Sequence, residues 1–188
     1  MLQEAMWHAS ELAPGQRSED AVELYAGSPA LSDGLTEAKL AVLAIDRDYC
    51  IAQDTATCSG AANGLSAVMK TKEVGLLWAA PQCSSWTWIG RAGNGPHSQQ
   101  PSREHERAES PGRQPSAQYV ASLAVLAASR NVYTAVEQPM SSLLPSFGPW
   151  PEMRAQLLPW TVTVHLGAYG ASSPKPLQIV TNLPSSCS

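Results

Sequence analysis

Four residues of different chemistry each stand at the close of an apolar run. Cys83 follows "VGLLWAAP" (74–81) and Gln82. A thiolate there, favoured for example by a following helix N-terminus, would attack an electrophilic carbon; the plainer alternative is a packed thiol at a turn. Glu137 lies near the end of "NVYTAVEQP" (131–139). A carboxyl there is partly desolvated, so its pKa rises and it can stay protonated as a hydrogen-bond donor; the alternative is a carboxylate paired with an arginine. Asp46 ends "AVLAID" (41–46) and suits either ribose hydroxyls or a helix cap. Gly27 ends "AVELYAG" (21–27), where a missing side chain permits a tight turn or a close approach to a ligand.

These residues act together only if the elements before them are parallel strands of one sheet. The runs at 21–27, 41–46, 74–81 and 131–139 read as buried strands. Helical spacing separates them. Leu31, Leu35 and Ala38 have helical spacing with Ser32 or Asp33 as a cap, "GLSAVMKTK" (64–72) is helix-like, and "SAQYVASLAVLAASR" (116–130) carries one broad apolar face. "WPEMRAQLL" (150–158) has Pro151 in its first turn, and "WTVTVHLGAYG" and "PLQIVTN" read as neighbouring antiparallel strands. Trp150 and Trp160 are expected to pack the last helix against the sheet, and Trp86 and Trp88 to pack or to stack on a base. Alternation of strand and helix predicts right-handed crossovers and a mostly parallel sheet, with ligands beyond the strands' carboxyl ends. Gly27, Asp46, Cys83 and Glu137 should therefore gather along one rim.

The 188 residues suit one domain with a sizeable core. Residues 1–20 read as a loose polar lead-in, 21–183 as the α/β domain, and 184–188 as a tail. A long segment at about 84–115, rich in Gly and Pro and carrying Arg91, Arg103, Arg107 and Arg113, interrupts the domain and suits phosphate contact or a self-neutralised loop. The formal net charge of −4 counts against a large phosphate-neutralising footprint. Cys50, Cys58, Cys83 and Cys187 form no C-x-x-C pair, so neither a zinc site nor a disulfide framework is expected. With no basic-then-apolar leader and no apolar run near the roughly 20 residues that span a bilayer, the expectation is a soluble intracellular protein without membrane contact, nucleus or cytoplasm unresolved.

The order "ELYAG", "AID", "APQCSSW", "VEQP" and "AYGASSPKP", over about residues 21–182, resembles the DNA (cytosine-5) methyltransferase family. The resemblance implies a three-layer Rossmann-like methyltransferase fold with a mostly parallel central sheet and an antiparallel C-terminal strand. It implies S-adenosylmethionine as cofactor, with Tyr25, Ala26 and Gly27 lining its pocket, Asp46 on the ribose, Asp54 on the adenine amine and Gln82 beside them. Cys83 then falls on the nucleophile that adds to C6 of cytosine, Glu137 on the base-binding carboxyl, and Lys175 near the first arginine of the late motif. DNA is the implied substrate, with target recognition left to a partner chain. Pro29 and Ala30 replace two family glycines, Gln82 and Ser84 replace the neighbours of the nucleophile, Gln138 stands for Asn, and Leu177 replaces a second cation. These departures keep a catalytically inactive binding or structural module open as an alternative. A methyltransferase for RNA or a small molecule, and a cysteine hydrolase with His97 or His105 as base, also remain.

Overall fold

The computed structural model describes residues 17–81, 114–146, 148–170 and 175–184. Within them lie β1 (Glu19–Leu24), α1 (Ala30–Glu37), β2 (Val42–Ile45), α2 (Cys58–Lys70) and β3 (Thr71–Ala79). They are followed by α3 (Gln114–Ser129), β4 (Tyr133–Pro139), α4 (Trp150–Leu157), β5 (Trp160–His165) and β6 (Pro176–Thr181). The six strands form one mixed sheet in the order β2-β1-β3-β4-β6-β5. β1 is parallel to β2 and β3, and β3 to β4, whereas β6 runs antiparallel to both β4 and β5. The protein is thus α/β with a largely parallel sheet.

Helices lie on both faces. Successive strand residues point to opposite sides. Glu23 accepts from the Ser32 hydroxyl and amide of α1, whereas the neighbouring Leu24 reaches toward Gly64 of α2. α3 contacts α2, β3, β4 and α4. The main core therefore lies on the α2–α3 side, built from Val22, Leu24, Val68, Leu77, Val120, Leu123 and Val136.

Several elements begin or end away from the sequence expectation. β1 stops at Leu24 rather than at residue 27, because Tyr25 takes a left-handed backbone (φ 60°) that ends the extended run. α1 takes Pro29 as its N-cap without a side-chain bond, so neither Ser32 nor Asp33 caps it; Ser32 is spent on Glu23. α2 begins at Cys58, six residues before the helix expected from 64, with the Thr57 hydroxyl accepting from the Gly60 amide. Gly60 and Gly64 weaken the helical signal but are needed here. A side chain at Gly60 would run into the Asp54 backbone, and one at Gly64 into the Tyr119 hydroxyl. β3 begins at Thr71, and the register with β1 slips between Glu19 and Ala21, where Val74 is left-handed (φ 62°).

The two late tryptophans part company. Trp150 is 1% exposed and donates its indole N–H to the Ala117 carbonyl at 3.1 Å, joining α4 to α3 as expected. Trp160 is 52% exposed and does not pack α4 against the sheet. The register Glu23–Trp78–Ala135–Thr181–Trp160 puts it on the α1 face, and α1 lies against β2 at the far end of the sheet. Chemical denaturation should separate the pair. Trp150→Phe is expected to lower stability by about 1–2 kcal/mol through a lost buried hydrogen bond and packing, and Trp160→Phe by under about 0.5 kcal/mol. Equal losses would contradict this packing.

Candidate functional site

The chain leaves β1 toward β2 on one side and, after β2 and α2, returns to β3 on the other. Such a reversal opens a crevice beyond the carboxyl ends of the two central strands. The segment after β1 lines one flank. Tyr25 N and Ala26 N donate to the Ile45 carbonyl at 2.9 and 3.3 Å. Gly27, also left-handed (φ 52°), donates its N–H to Asp46 Oδ2 at 2.9 Å. Apart from Gly27 itself, Ala26 and Ser28, no atom of the described residues lies within 4 Å of where a Gly27 side chain would begin. The glycine suits this φ.

Asp46 connects the ends of β1 and β2. Besides Gly27, its carboxylate takes the Asp48 N–H on Oδ1 at 2.8 Å, and its own amide meets Gln53 Oε1 at 3.2 Å. A carboxylate has about four acceptor positions, so roughly two remain. Ala26 is buried behind the turn, and the Tyr25 ring leans on the core with its hydroxyl accepting from Thr55 Oγ1 at 3.1 Å. Burial pushes the Tyr25 phenol up to about 12. Asp54 accepts the Ala56 N–H on Oδ1 at 3.0 Å, while its carbonyl holds the Thr57 amide and hydroxyl ahead of α2.

The other flank is the end of β4. Glu137 is partly buried, and burial raises its carboxyl above the usual range; nearby Lys175 acts in the opposite sense and Glu23 adds to the rise. Lys175 reaches this rim because β6 is antiparallel to β4, which sets Pro139 opposite Leu177. The structure thus brings Tyr25, Ala26, Gly27, Asp46 and Asp54 to the ends of β1 and β2, and Glu137 and Lys175 to the same side of the sheet across the crevice. Gln82 and Cys83, together with Trp86, Trp88, His97, His105 and the four arginines of the long segment, lie outside the described residues.

Two residues of this region fix its frame in ways the sequence did not indicate. Gln138, 2% exposed, donates through Nε2 to the Pro81 carbonyl at 2.7 Å and accepts the Ser142 hydroxyl on Oε1 at 2.8 Å. It ties the end of β4 to the chain that leads into Gln82 and Cys83. Glu23, 5% exposed, fixes α1 through Ser32. A polar residue next to apolar strand residues was the available signal for both. Among the described residues no three His, Cys, Asp or Glu side chains are grouped to hold a metal ion, and no helix is long and apolar enough to cross a membrane. No protein-family model matches the chain, and no curated protein matches it.

Proposed function

We propose that the chain is an S-adenosylmethionine-binding domain of the DNA (cytosine-5) methyltransferase type, a three-layer Rossmann-like methyltransferase fold that methylates a base through a Cys83 adduct. One observation carries the reading: a left-handed glycine turn and a strand-end carboxylate lie at the same edge of the sheet as a partly buried carboxyl and a lysine, around the point where strand order reverses. The antiparallel last strand supports the fold assignment. Among the described residues, the space left beside Gly27 and the acceptor positions left on Asp46 fit a nucleoside cofactor.

S-adenosylmethionine, when bound, supplies an electrophilic methyl group. Gly27 lets the backbone come close to it, Asp46 accepts from the ribose hydroxyls, Asp54 accepts from the adenine amine, and Tyr25, Ala26 and Gln82 complete this half of the site. In the other half the Cys83 thiolate bonds to C6 of the base, and the displaced electron pair makes C5 nucleophilic. Glu137 donates to N3 and accepts from the exocyclic amine, stabilising the charge that develops. Lys175 stands beside Glu137. Bonding of the methyl group to C5 would break its bond to the sulfonium and leave a neutral thioether, and loss of the C5 proton to water would then expel the thiolate and restore the ring. DNA is the proposed substrate, and target recognition falls to a partner chain.

A second reading, a module that keeps the fold without turnover, has its own support: both Asp46 oxygens already hold backbone N–H groups, as in a purely structural turn. Titration calorimetry with S-adenosylmethionine separates the two. The wild-type chain is expected to bind, and Asp46→Asn to bind about tenfold more weakly, the weight of one charge-assisted hydrogen bond. No heat at millimolar cofactor would remove the enzyme reading and leave the module.

A further inference from the structure

The turn after β1 is strained, and the loop after β2 holds it. Tyr25 and Gly27 are both left-handed within three residues, and a non-glycine residue in that region persists only where its surroundings over-determine it. The restraints come from a single neighbour. The Ile45 carbonyl takes the amides of Tyr25 and Ala26, Asp46 Oδ2 takes the amide of Gly27, and the Tyr49 hydroxyl donates to the Gly27 carbonyl at 2.9 Å. Tyr49 is itself folded back on Asp46, its amide bonding the Asp46 carbonyl at 3.1 Å. Gly27, Asp46 and Tyr49 therefore close a triangle in which both polar groups of Gly27 are used.

We infer that Tyr49 is a positioning residue: its hydroxyl holds the Gly27 turn in the left-handed form that keeps the crevice open beside Asp46. The inference rests on the cofactor-binding reading of that turn. Tyr49 is 44% exposed and little of its ring enters the core, so the hydroxyl bond is its main structural tie. Some desolvation and the carboxylates of Asp46, Glu23, Asp33 and Asp48 hold its phenol above the usual tyrosine range. Its contact is with the turn and not with a reacting atom, so its effect on a ligand is indirect.

The test is Tyr49→Phe beside Tyr49→Ala, each followed in two ways. Amide hydrogen exchange of the cofactor-free chain should speed up about fivefold at Gly27 in both variants, with exchange at Leu77 in β3 unchanged. The binding constant for S-adenosylmethionine should weaken about fivefold in both, because the phenylalanine ring cannot replace the hydroxyl. Exchange at Gly27 that matches wild type in Tyr49→Phe would overturn the inference. So would normal cofactor binding by Tyr49→Phe together with a loss in Tyr49→Ala, since the ring alone would then matter. If the wild-type chain binds no S-adenosylmethionine, the proposed function fails, and the exchange measurement still decides whether Tyr49 holds the turn.

Discussion

Incubated with S-adenosylmethionine and an oligonucleotide carrying 5-fluorocytosine, the wild-type chain is expected to form a covalent complex that survives denaturing electrophoresis, and Cys83→Ala none. The chemistry sets this all-or-none contrast. Thiolate addition at C6 and methyl transfer to C5 proceed as with cytosine, but fluorine replaces the proton whose loss would expel the sulfur. The C–S bond then persists. Without the thiol no such bond forms, whatever else the site retains. A methyltransferase that acts without a thiol adduct would give no complex with the wild type and would keep its turnover in Cys83→Ala; that outcome would replace the present mechanism with direct transfer. A complex retained by Cys83→Ala would assign the nucleophile elsewhere.

The second large effect falls on Glu137. Glu137→Gln is expected to slow adduct formation by about two to three orders of magnitude, the usual cost of removing one preorganised group that stabilises developing charge. Stability should move the other way. Burial raises the Glu137 carboxyl, so the folded chain holds this proton more tightly than the unfolded chain does. Its contribution is complete below the ordinary carboxylate pKa of 4.5 and is lost as pH rises through the elevated folded value. Glutamine is neutral throughout. Thermal unfolding should therefore show Glu137→Gln at least as stable as wild type at neutral pH, with the difference shrinking as pH falls toward about 4. Adduct formation by the wild type should decline as pH rises through the same range, because the donor to N3 is then lost. A variant less stable than wild type at neutral pH would mean that the ionised carboxylate is satisfied in place, with Lys175 outweighing burial.

The strands were legible because burial leaves a mark that needs no knowledge of the fold: "VGLLWAAP" holds no polar side chain, and "NVYTAVEQP" keeps an apolar centre between polar ends. α3 and α4 were legible for a similar local reason, the one by its broad apolar face and the other by a proline in its first turn. The start of α2 was hidden by Gly60 and Gly64, residues that signal a break locally and are required only because Asp54 and Tyr119 come against them in space. Trp160 misled for the opposite reason. Its hydrophobicity is intrinsic, but its exposure follows from standing on an edge strand at the end of the sheet that α1 does not reach.

By itself, then, the sequence determined which stretches form strands and which form helices, since local burial and turn preference are written into short stretches of chain. Only the tertiary structure decided that β6 returns antiparallel beside β4 and carries Lys175 to Glu137, that Gln138 holds Pro81, and that Tyr49 closes over Gly27. Those contacts join residues far apart along the chain, and they exist because the sheet order, set by the packing of α2 and α3 on one face, brings the strand ends together.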